Sequence, residues 1–271
     1  MPEFLKYTLW GVVTMLCTFG NAQPLPEPTR DITATAVPYE PLREADAAFQ
    51  WTLERIIDTR EKQNIALNWP QNSLSALVYQ AVLTGQVPAY KNNEFTEIYV
   101  DTTIPTLGRY CHIVYTLCPD AVDPEDLCEQ TICEEPDLEK MTKWKIVEEW
   151  IFDSEQSRMI PRIVGMALMY KPIVAGVELP EMPLFWVKYD DLRPQLVQNK
   201  MLNVHNERAS VSFDHFFQGR LFSSYVTKYP NAFDLPISQM EEFADNSLAA
   251  LYQSEQIRLK LMETEHDLWE Y

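Results

Sequence analysis

The chain has 271 residues, with 22 Lys and Arg against 40 Asp and Glu and a formal net charge of -18. So acidic a protein repels phosphate backbones and anionic headgroups, which argues against a nucleic-acid partner or direct binding to an anionic lipid surface. A 46% apolar share, with 7 Trp and 13 Tyr, supplies material for a core and excludes a disordered chain.

Lys6 gives a small positive start, and the uncharged run from Tyr7 to Phe19 (YTLWGVVTMLCTF) precedes Gly20-Asn21-Ala22. That is the layout of a cleaved signal peptide over residues 1–22. The apolar run is short of the roughly 20 residues of a membrane span. Cys17 lies inside it, and Leu16 before it is not the small residue that a lipobox requires. Export is therefore expected, with the mature chain starting near Gln23.

Residues 23–42 hold five prolines and no apolar periodicity. They read as an extended arm, either a linker or a segment laid on a neighbour, with Val37 and Tyr39 as the side chains suited to docking. From Arg43 to Lys62, Phe49, Leu53, Ile56 and Ile57 recur at helical spacing, which predicts a helix. A second helix is expected over Leu74 to Gly85, capped by Asn72 or Ser73, with Gly85 as its left-handed stop. Glu94 to Val100 reads as a strand.

Beyond the signal, the cysteines are Cys111, Cys118, Cys128 and Cys133, spaced C-x6-C-x9-C-x4-C. Two disulfides with three possible connectivities fit an oxidising compartment. Zinc is the alternative, although only Cys128 and Cys133 approach a knuckle spacing. An acidic run, Glu134 to Glu139, closes this window.

Trp144 to Phe152 fits either a helix or a strand. Met159 to Tyr170 and Leu184 to Tyr189 read as strands, and the three together as an antiparallel unit. Asp190 or Asp191 is expected to cap a short helix through Gln198, with Pro194 in its first turn. Ser212 caps another that carries Phe213, Phe216 and Phe217. The last helix, Asn246 to Trp269, has an apolar stripe of Leu248, Leu251, Tyr252, Leu259, Leu261, Met262 and Leu268. The class is α+β, with N-terminal helices, a central antiparallel sheet and a long C-terminal helix.

No pair of glycines forms a phosphate-cradling loop, and G-x-S-x-G is absent. His112, His205, His215 and His266 show no metal-ligand spacing. A hydrolase built on Asp190, Asp191 or His215, with Trp186 and Tyr189 as stacking walls, is the enzymatic alternative. A cell-wall-binding module is another. No cofactor and no metal are expected. Arg and large aromatics dominate protein contacts, so Tyr39, Phe185, Trp186, Phe216, Phe217, Arg220 and Trp269 are the candidate interface residues.

Several segments resemble the GldN (PorN) family. They are Arg43–Asp46 with Arg55–Lys62, Trp150–Asp153, Arg162–Gly165, Pro183–Val187, Phe213–Phe217, Arg220, Phe222–Val226 with Lys228, and the tail Glu265–Tyr271. The resemblance covers a domain over 43–271. It implies a non-catalytic periplasmic component of the type IX secretion system of Bacteroidetes, serving protein secretion and gliding motility. It also implies partners: a GldK (PorK)-like lipoprotein with which it forms a ring, further copies of itself, and a GldL–GldM-type (PorM-like) motor. Association with the outer membrane would be indirect, through the lipoprotein. The cysteine-bearing stretch around 101–140 departs from the family pattern and reads as a stapled insertion.

Overall fold

The computed structural model describes residues 34–117, 127–174, 177–203 and 211–267. The expected signal peptide, most of the arm's prolines, Cys118, His205, Leu268 and Trp269 lie outside these residues. The first element is a strand, β1 (Ala47–Asp58), and not the expected helix. Phe49, Trp51, Leu53 and Ile57 satisfy a period of two as well as others satisfy helical spacing. The position this alternation leaves polar, Arg55, is buried because it has a partner across the sheet.

Next come α1 (Leu74–Leu83), β2 (Tyr110–Leu117) and β3 (Leu127–Glu134). The Ser73 hydroxyl accepts the Ala76 N–H at 3.2 Å, and Gly85 follows at φ 68°, so both expected ends of α1 are in place. Glu94–Val100 forms no strand. Phe95 sits at φ 57°, and the segment contributes one isolated bridge, Tyr90 to Ile98.

The long strands β4 (Lys143–Asp153) and β5 (Arg158–Tyr170) are followed by the short pair β6 (Ile173–Val174) and β7 (Val177–Glu178), then by β8 (Met182–Lys188). Helix α2 (Tyr189–Gln198) begins directly on β8. Asp190 and Asp191 therefore lie in its first turn rather than at its cap, and Pro194 lies inside it. A second short pair, β9 (Lys200–Met201) and β10 (Val211–Ser212), leads to α3 (Phe213–Gln218), β11 (Tyr225–Lys228) and α4 (Ser247–Asp267). Ser212 caps α3 as expected, accepting the His215 N–H.

The main sheet has the order β11-β1-β4-β5-β8, antiparallel throughout, so the chain is α+β. One face carries Ile57, Trp144, Ile146, Met166, Leu168, Phe185 and Val187 under α1, α2 and α3. A smaller layer on the same face packs Leu53 and Val226 against Ile257 and Leu261 of α4. The other face is covered by the segment before β2, where Tyr90 and Phe95 meet Val147, Ala167 and Trp186. Phe95 occupies the space that a side chain at Gly165 would fill, because a Cβ there would overlap its ring. β8 pairs with β5 only from Gly165 to Tyr170, leaving Arg158–Val164 with β4 on one side and an open edge on the other.

Candidate contact surface

Pairing places Glu148 of β4 opposite Leu53 of β1, two pairs along from Arg55 opposite Ile146 and so on the same face. Glu148 is fully buried between the two apolar layers. Its carboxylate accepts from Arg220 Nη2 at 2.9 and 3.0 Å and from Trp150 Nε1 at 2.9 Å, with Arg55 Nη1 3.8 Å away. Arg55 Nε also donates to Ser224 Oγ at 2.9 Å. Burial pulls the Arg55 guanidinium below its ordinary pKa, and the charge of Glu148 opposes that pull.

Arg220 reaches this carboxylate through an unusual backbone. Its N–H bonds Phe217 O and the Leu221 N–H bonds Phe216 O, the bond pattern that ends many helices with a left-handed glycine. Here the left-handed position, φ 51°, is occupied by Arg220 itself. Such a conformation costs a non-glycine residue about 1–3 kcal/mol. The guanidinium it places lies 5.1 Å from the Trp150 ring centre and 5.5 Å from that of Phe222. Beside it a cavity of about 470 Å³ opens between the sheet and α4, walled by Trp150, Phe222, Arg258, Leu261 and Met262.

Helix α4 is attached narrowly. Ile257 and Leu261 enter the small layer, and Ser254 Oγ accepts the Val226 N–H at 2.8 Å. Asn246 caps it, accepting the Ala249 N–H. The stripe foreseen from periodicity is split: Leu261 packs inward with Ile257, whereas Leu248, Leu251, Tyr252, Leu259 and Met262 are exposed, Leu248 at 74%. At about 100° per residue Leu248 lies opposite Ile257, and the other four lie within roughly 60° of Leu248. The helix thus shows solvent more large apolar side chains than it packs inward, with Glu241, Glu242 and Asp245 exposed just before it.

The described part of the arm is laid on the body. Val37 O accepts from Arg193 Nη2 at 2.6 Å, and the Tyr39 ring lies 4.5 Å from the Arg193 guanidinium and 5.4 Å from that of Arg162. Gln218 Nε2 donates to the Tyr39 hydroxyl at 3.2 Å, and burial raises the pKa of that phenol. The Glu40 carboxylate pairs with Arg158 and accepts from Gln156 Nε2 at 3.0 Å. The Gln156 and Arg158 bonds hold it below the usual carboxylate range. Beneath the arm, Asp214 accepts from Arg193 Nε at 3.1 Å and from the Tyr189 hydroxyl at 2.8 Å.

The cysteine window forms a hairpin, β2 with β3, in which Cys111 faces Cys133 and is bonded to it. Cys128 is disulfide-bonded as well. Ile113, Tyr115 and Ile132 are exposed on this hairpin.

Of the candidate interface residues, Tyr39 holds the arm down and Arg220 is half-buried at the seam. Phe185, Trp186, Phe216 and Phe217 are core and offer no outer surface, which corrects their assignment to an interface. Clusters of aromatic residues mark buried layers as readily as contacts, and here Phe216, Phe217 and Phe222 pack on one another. The proposed stacking walls are also buried, Trp186 on one side of the sheet and Tyr189 on the other. Asp190, Asp191 and His215 are exposed helix residues. Among the described residues no group of three His, Cys, Asp or Glu is placed to hold a metal ion. Sequence reasoning did not place Glu148, Arg193 or Asp214 among the candidate site residues. The available signal was a charge inside an otherwise apolar strand, as at Glu148.

Among protein families, the model described as gliding motility associated protein GldN matches residues 42–270. No curated protein matches the chain.

Proposed function

Because the chain belongs to the GldN family of gliding-motility-associated proteins, a component of gliding and type IX secretion machinery, we propose that it acts there as a non-catalytic periplasmic scaffold. It assembles with a GldK-like lipoprotein and with further copies of itself into a ring, which engages a GldM-like motor component. The lipoprotein supplies its association with the outer membrane. The observation that carries this reading is the outward stripe of α4. A helix that leaves Leu248, Leu251, Tyr252 and Met262 uncovered is a helix whose packing another subunit completes. The signal-like start and the Cys111–Cys133 bond support an oxidising compartment outside the cytoplasm. Asp190, Asp191 and His215 are exposed on α2 and α3, which gives no support to a hydrolase.

The test mixes the purified chain with a GldK-like lipoprotein and images the product by electron microscopy. Rings are expected from the wild type, and separate small particles would sink the reading. Leu251→Asp with Tyr252→Asp should leave stability within about 0.5 kcal/mol, as for exposed sites generally. The same change should abolish the assembled particles.

A further inference from the structure

We propose that the arm segment Val37–Pro41 of one copy docks in the Arg158–Arg162–Arg193 groove of a neighbouring copy, so that adjacent copies are joined by arm exchange. This rests on the scaffold reading and names one of the contacts that would build it.

The contact joins two preformed halves. Pro38 and Pro41 fix their own φ and drive Val37 and Glu40 to extended backbone, so the segment keeps its docked shape when free. In the groove, Asp214, itself held by the Tyr189 hydroxyl, holds Arg193 in place whether or not Tyr39 lies against it. Little ordering is then required on binding, which favours recognition by a separate chain.

Nothing in the contact requires the arm and groove to share a chain. The bonds of Val37, Tyr39 and Glu40 go to β5, α2, α3 and the β4–β5 turn, more than 110 residues away in sequence. No described arm residue belongs to an apolar core cluster, so an arm that leaves its own groove takes none of its described side chains out of those clusters. The groove also borders the open half of β5, where Arg162 Nη2 donates to Glu40 O at 2.8 Å. An unpaired edge that holds Pro161 invites an extended segment through side chains rather than through a backbone ladder.

Charge selects the occupant. In a protein of net charge -18 two copies repel, yet here Arg158 pairs with the Glu40 carboxylate while Arg162 and Arg193 hold the Glu40 carbonyl, the Val37 carbonyl and the Tyr39 ring. A second copy's arm brings the same acid and the same aromatic ring. Arm and groove are different surfaces, so their contact is head-to-tail, the kind that closes a ring when the rotation fits.

The test uses the full chain lacking only its export signal, in two variants, Glu40→Arg and Arg158→Glu. In either variant alone the arm meets like charge in every groove. In a mixture the arm of the first meets opposite charge in the groove of the second. Native mass spectrometry of the equimolar mixture should show heterodimer in at least about tenfold excess over dimer in either variant alone. The chain that carries both changes should return to the wild-type distribution. A mixture with no more dimer than the separate variants overturns the exchange. Rings formed with the lipoprotein by Glu40→Arg alone would also overturn it while leaving the scaffold reading standing. Heterodimers without rings would do the reverse.

Discussion

Under α1, α2 and α3 the sheet fully buries Trp144, Tyr189, Phe213 and Phe217, whereas under α4 it closes only a handful of aliphatic side chains. Both layers lie on the same face, and the boundary between them is the Glu148–Arg220 pair with its adjoining cavity. The large layer supplies its own neighbours on every side. The small one ends in a helix whose outer half, among the described residues, is exposed. One fold thus holds a self-sufficient body and an element with an exposed apolar outer side, and a buried ion pair separates the two.

The largest effect is expected at that boundary. Glu148→Ala would leave Arg55 and Arg220 without their shared counter-ion. Removing one side of a buried pair costs about 3–5 kcal/mol. Urea unfolding should show one transition shifted by that amount, because both layers lean on this carboxylate. Separate transitions for body and helix would show that the pair does not join them.

A smaller and more local effect is expected from Leu261→Ala. Its cost should fall at about 2–3 kcal/mol, the low end for such truncations, because the thin layer can close over the gap. Hydrogen exchange should then speed in α4 while α1, α2 and α3 stay protected. Equal loss of protection everywhere would erase the distinction between the layers.

The mildest perturbation is acid. Glu40 is held below its ordinary pKa, so its contribution to docking is complete above the unfolded value and is lost as pH falls through the lowered folded value. Proteolysis of the arm should accelerate over that window while the sheet keeps its circular dichroism. An arm that stays protected there would be held by Tyr39 and Val37 alone.

Much of this architecture was legible in the sequence. β4 fits a helix as well as a strand, whereas β5, β8 and the capped helices α1 and α3 announce themselves through alternation and cap residues that act locally. β1 does not, because its strand period is interrupted at Arg55, and only a partner 93 positions away, Glu148, makes a charge acceptable there. Glu94–Val100 has the composition of a strand but no neighbouring strand to pair with, so Phe95 turns into the sheet instead. For α4, periodicity grouped the five exposed apolar residues but put Leu261 with them, although it packs inward. It could not tell which side the body would take, because the inward side holds only Ser254, Ile257 and Leu261. The aromatic residues at 185, 186, 216 and 217 were misplaced for a related reason: residue type fixes the size of a contact and not its location.

The interlock of Phe95 with Gly165 has a consequence for how relatives of this chain can diverge. Neither position can drift alone. A methyl at 165 evicts the phenyl ring, and loss of the ring leaves a hollow that glycine cannot fill. Homologues that carry alanine or larger at the equivalent of 165 should therefore carry a smaller residue than phenylalanine at the equivalent of 95. The two columns of an alignment should change together although 70 residues separate them.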